Sequence, residues 1–164
     1  MTATELLKKD HSEVKKLFTQ LGRTTTRAAR RREGLIDKLA EELEIHAQVE
    51  EEIFYPAMKE SGEGEDLVQE ALDEHGEMKR LMAELQGMDV SSDDVAAKAE
   101  ELREAVVHHA TEEEREMFPL ARKRLGTEEL SRLGEQIQSR KAELKGSPVQ
   151  RAKHTIKKGI RKIA

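Results

Sequence analysis

His46-Ala47-Gln48-Val49-Glu50 is the stretch that decides the reading of this chain. A helix brings positions four apart onto one face, so this run sets an imidazole beside a carboxylate. The run from His46 to Pro56 is echoed by His109 to Pro119, and in both Glu follows His by four residues and Pro by ten. A second echo joins Asp10-His11-Ser12-Glu13 to Glu74-His75-Gly76-Glu77. The chain reads as one unit written twice, each copy supplying a lone His and then a His-x-x-x-Glu.

Apolar positions around these residues recur at helical spacing. Leu6, Leu7, Val14, Leu17, Phe18 and Leu21 carry His11 up to Gly22, behind a capping box of Thr2 and Glu5. Leu35, Ile36, Leu39, Leu43, Val49 and Ile53 carry His46 and Glu50, and the second helix is expected to end near Pro56. Val68, Ala71, Leu72, Met78, Leu81 and Leu85 carry His75 up to Gly87. Ser91 with Asp94 reads as another capping box, before Val95, Ala99, Leu102, Val106 and Met117. On this last helix His109 falls on the apolar stripe, whereas His108 follows Glu101 and Glu104 on the polar side. The basic run Arg27 to Arg32 reads as a solvated cluster at the start of the second helix.

Composition agrees with an all-α protein. Of 164 residues, 38% are charged and 2% aromatic, as expected of amphipathic helices rather than sheets. Four such helices with short connections fold most simply as an antiparallel up-down-up-down four-helix bundle. The expected organisation is a bundle over 1–125, an additional packing helix over 126–146, and a basic amphipathic tail over 147–164. The tail has six Lys or Arg and no acid, suiting it to a partner, an acidic or membrane surface, or its own acidic bundle.

The absence of Cys excludes disulfides, thiolate sites and cysteine nucleophiles. The start lacks the pattern of a signal peptide, and no apolar run approaches the ~20 residues of a membrane span, so a soluble, cytoplasmic protein is expected. A net charge of −5 gives no strong nucleic-acid signal.

Burying His11, His46, His75 and His109 with ionised Glu50 and Glu113 in an apolar core would cost several kcal/mol per charge without partners. A shared cation removes that cost. Each half offers two His and one carboxylate, the donor set of open-sided non-haem iron, and the two sets are expected to meet so that Glu50 and Glu113 bridge two metals. Zinc fits the donors too, but six N and O ligands suit iron that changes oxidation state. Tyr55, just before Pro56, is a candidate for a further ligand or for a packing role, while Glu112 and Glu116 are expected in solvent.

At these residues the sequence resembles the hemerythrin-like family, the His-His-Glu cation-binding domain, over roughly Thr4 to Leu125. The resemblance rests on His11, on His46 and Glu50 before Ile53-Phe54-Tyr55-Pro56, on His75, and on His109 and Glu113 before Met117-Phe118-Pro119. It implies two iron ions with an oxo or hydroxo bridge. Oxygen-carrying members have a further His where this chain has Lys79, and an Asp five residues after the last His, where this chain has Glu114, with Glu113 at four. That departure turns the expectation from reversible oxygen carriage toward catalase-like, peroxide-detoxifying chemistry. Binding, sensing or storage of dioxygen, nitric oxide or iron is the alternative.

Overall fold

The computed structural model describes residues 1–146, so the expected basic tail of 147–164 lies outside the described residues. Helix α1 spans Ala3–Gly22 and opens with the expected capping box, Glu5 N–H donating to Thr2 Oγ1 while Thr2 N–H donates to the Glu5 carboxylate. Helix α2 spans Ala29–Val49, a π-helical turn follows at Glu50–Phe54, and α3 spans Tyr55–Glu60. Helix α4 covers Glu65–Gln86, α5 covers Asp94–Glu112, a second π-helical turn covers Glu113–Met117, and α6 runs Phe118–Lys145. No strand occurs among the described residues, and none of their helices is long and apolar enough to cross a membrane.

The antiparallel order can be read from which ends share a core. One apolar cluster joins Leu7 from the start of α1, Val49 from the end of α2, Val68 and Ala71 from the start of α4, and Met117 just after α5. The other joins Phe18 from the end of α1, Leu39 from the middle of α2, Leu85 from the end of α4, and Val95 and Leu102 from the start of α5. Successive helices therefore run in opposite directions, with α1 against α2 and α5, and α4 against the same two. Between the clusters lies a layer of buried polar side chains, with one His each from α1, α2, α4 and α5.

Three local expectations are corrected. The second helix does not stop near Pro56 but continues to Glu60. Pro56 lacks an N–H, and in an α-helix its ring would meet the carbonyl four residues back. The π turn widens the helix there, Tyr55 N–H donating to Glu50 O five residues earlier. Phe118 N–H reaches Glu113 O in the same way ahead of Pro119, so the duplication extends to the bulge. The Ser91–Asp94 capping box does not form: α5 starts without a side-chain cap, and the local bonds lie in the turn before it, Asp94 N–H donating to Ser92 Oγ and Ser91 N–H to Asp89 Oδ1. Arg32 is not solvated. It is 4% exposed and donates to Val90 O, Ser92 O and Thr24 Oγ1, tying the loop before α2 to the loop before α5.

Within α6, Gly126 (φ 78°, ψ 167°) breaks the helical path in a region of backbone space that favours glycine. The segment beyond it returns along the bundle, burying Leu130, Leu133 and Ile137 against Ala3, Leu6 and Leu7. Gly134 lies where the backbone of Met1 and Thr2 crosses α6, leaving no room for a Cβ.

Candidate metal centre

Each site histidine is held at Nδ1 by an acidic side chain. His46 Nδ1 lies 2.9 Å from Asp10, His75 Nδ1 2.7 Å from Glu51, His109 Nδ1 2.8 Å from Glu74, and His11 Nδ1 3.0 Å from Glu114. A carboxylate only accepts, so each Nδ1 carries a proton and donates, leaving Nε2 directed inward. This is the arrangement that orients metal-ligating imidazoles and raises their basicity.

The inward Nε2 atoms meet two carboxylates. Glu50 Oε1 is 2.7 Å from His46 Nε2 and 3.5 Å from His75 Nε2. Glu113 Oε1 is 3.1 Å from His11 Nε2 and 3.2 Å from His109 Nε2. All six residues are buried, Glu50 completely. Their donor atoms fall into two triads, His11, His46 and Glu113, and Glu50, His75 and His109, each with its three atoms within 4.8 Å of one another. The ring centroids pair likewise, His11 with His46 at 4.9 Å and His75 with His109 at 4.8 Å. The six expected residues therefore come together, with one refinement: each half supplies a pair of His, but the carboxylate of each triad comes from the other half.

These donors fit a cation better than they fit one another. His46 Nε2, His109 Nε2 and Glu50 Oε1 are buried and make no hydrogen bond, although His46 Nε2 is at ion-pair distance from Glu50 Oε1. Proximity without alignment leaves buried polar atoms unsatisfied, a cost of about 1–3 kcal/mol each that a metal ion at the common focus would remove.

Charge within the layer follows the same geometry. Burial opposes protonation of His46, but the negative charge of Glu50 and the hydrogen bond to Asp10 outweigh it and push its pKa up to about 10. Burial likewise opposes protonation of His109, yet Glu113 and Glu74 push it up to about 11. Burial disfavours the charge on Glu50, and the neighbouring His46 overrides this to hold it well below the usual carboxylate range. Metal-free, His46 and His109 are thus imidazolium partners of Glu50 and Glu113.

Tyr55 is turned into this layer. On a continuous α-helix, nine residues at about 100° each would set it on the side opposite His46. The extra residue in the π turn removes one step, and Tyr55 Oη reaches Glu50 Oε2 at 2.9 Å, Glu113 Oε2 at 2.7 Å and His75 Nε2 at 3.2 Å. Burial and the two glutamate charges raise its pKa, so it keeps its proton. Its repeat partner Phe118 stacks on His11 at 5.9 Å with the rings 4° from parallel, and this ends the twofold likeness.

Sequence reasoning missed the four outer carboxylates, although the repeat held the signal. Asp10 and Glu74 stand directly before the lone His of each half, and Glu51 and Glu114 directly after the inward Glu. Asp10 is also paired with Lys141 of α6, while Glu74 meets His108 at 3.3 Å. His108 and Glu116 are exposed as expected, but Glu112 is partly covered, 3.2 Å from His108. Lys79 stands on the surface 3.5 Å from Glu51 and supplies no inward donor.

Comparison with known proteins matches residues 2–121 to the hemerythrin HHE cation binding domain. The crystal structure of an HHE cation binding domain-containing protein from Mycobacterium kansasii superposes with a TM-score of 0.79 at 27% identity, covering 89% of this chain and 88% of that one. An uncharacterized protein of Mycobacterium tuberculosis is 28% identical over 153 residues, 91% of each chain. A DNA nickase of Nostoc sp. is 27% identical over 144 residues, 88% of this chain, which spans only 40% of that protein.

Proposed function

The chain belongs to the hemerythrin HHE cation-binding family, and from that premise we propose that it is a two-iron protein whose centre reacts with peroxide. In this reading His11 and His46 would hold one ion and His75 and His109 the other, with Glu50 and Glu113 supplying the carboxylate ligands. The supporting observation is that each glutamate lies between a His of the first half and a His of the second. The metal-bearing unit is 1–125, with 126–146 packed beside it.

Iron in such a nitrogen and oxygen set supplies reversible electron exchange and room for a small oxygen species. The protein's own groups prepare the place for it. Asp10, Glu51, Glu74 and Glu114 hold the four imidazoles in one tautomer. Tyr55 keeps a phenolic proton 2.7 Å from Glu113 Oε2, placed to donate to an oxygen atom arriving between the carboxylates. Phe118 covers His11 with a ring that neither donates nor ligates, so the Tyr55 phenol has no counterpart beside His11. This inequality favours turnover over reversible carriage.

The test is direct. Iron-loaded protein should hold two irons per chain and release oxygen from hydrogen peroxide, with both properties lost in His46→Ala. A reversible optical band on oxygenation with no peroxide turnover would move the reading to dioxygen binding.

A further inference from the structure

A cleft between α2 and α4 is larger than peroxide chemistry requires. It encloses about 470 Å³. A water molecule takes about 30 Å³ of liquid volume, so peroxide or dioxygen would fill only a small part. Cavities of about 300–1,000 Å³ with apolar walls and a few polar groups are the usual form of small-organic-ligand sites.

The lining extends from His46, His75 and His109 to Gln86. Gln86 stands eleven positions after His75 on α4, about 16 Å at helical rise. Val14, Ala40, Leu43, Met78, Met82 and Val106 supply apolar wall, alongside the charged Glu44, Glu51 and Lys79. Methionine thioethers adapt to the shape of what they enclose. Gln86 supplies the second observation: its Nε2 is buried and has no hydrogen-bond acceptor, although it lines the cleft.

We propose that this cleft binds a medium-chain organic acid or a molecule of the same build, an apolar chain ending in an oxygen acceptor. The acceptor takes the hydrogen bond offered by Gln86 Nε2, and the chain lies over Met78 and Met82 with its other end toward the histidines. That this makes an organic molecule the substrate rests on the reading of the histidine layer as a reactive metal centre. The binding itself does not.

Isothermal titration calorimetry of the full chain, metal-free and iron-loaded, with decanoate as the probe tests this. One decanoate should bind per chain in both forms. Gln86→Leu should weaken binding about tenfold, the loss of one hydrogen bond. Ala40→Phe, which fills the cleft away from the histidines, should abolish it, with iron content unchanged in both variants. No binding to the metal-free protein overturns the proposal, as does binding that Gln86→Leu leaves unaltered, which decides the matter even if Ala40→Phe fails to fold. Decanoate binding by a protein that takes up no iron when loaded would instead sink the metal reading and leave the cleft intact.

Discussion

Tyr55 Oη lies 2.7 Å from Glu113 Oε2 and so joins a phenol of the first half of the chain to a carboxylate of the second. Its single proton faces three buried polar atoms and can be donated to one at a time, an arrangement that packing alone does not require. Tyr55→Phe should keep the helical content and both irons while removing that proton. Peroxide turnover is expected to fall roughly 10²-fold, the scale of a lost positioned proton donor. Unchanged turnover with an unchanged optical spectrum would limit Tyr55 to packing.

Glu50→Ala should do more damage to metal binding than loss of an outer carboxylate. Glu50 faces both pairs of histidines, so its removal touches both ions. Elemental analysis after iron loading should give well under two irons per chain, with the four imidazoles still buried.

Lys141 acts on the centre from α6 through Asp10 and His46. Lys141→Met leaves the Asp10 carboxylate without its ammonium partner and frees His46 to reorient. Outer partners of this kind typically change metal affinity by about 10–100-fold. Competition with a chelator should show that loss for one of the two irons, and equal weakening of both would disprove the route through His46.

Metal loading should release protons. His46 and His109, raised to about 10 and about 11, are protonated at neutral pH in the metal-free protein and must be neutral to ligate. Loading at pH 7.5 in weak buffer should acidify the solution by at least two protons per chain. The same shifts set a stability window for the metal-free protein. A pKa raised on folding stabilises fully below 6.5, and the benefit is lost as pH climbs toward about 10 to 11. Its melting temperature should therefore fall from pH 7 to pH 11. Glu50 has the opposite sign, its stabilisation being present above 4.5 and lost on acidification.

Gly134→Ala tests the packing of α6. A methyl there meets the backbone of Met1, Thr2 and Ala3, which cannot yield like a flexible side chain. A loss of about 1–3 kcal/mol in urea unfolding is expected, from overpacking.

The helices, their apolar faces and the inward placement of six donors were legible because each depends on periodicity. A residue's angular position on a helix follows from its number alone. The duplication supplied the rest of that reading, since His46 to Pro56 and His109 to Pro119 hold their roles in common. The outer carboxylates were less legible. Asp10 reaches His46 and Glu51 reaches His75 across helix boundaries, and no single helical wheel relates them.

By itself the sequence determined the four amphipathic stripes, the depth at which each His and Glu sits, and the metal chemistry those donors invite, because these follow from spacing along one helix. Tertiary structure decided what lies between helices. It exchanged the carboxylates between the two halves, paired His11 with His46 and His75 with His109, drew Lys141 onto Asp10, and opened the cleft toward Gln86. It also placed Tyr55, because a π turn ahead of a proline shifts every later side chain by a full residue, an angle that α-helical spacing alone does not give.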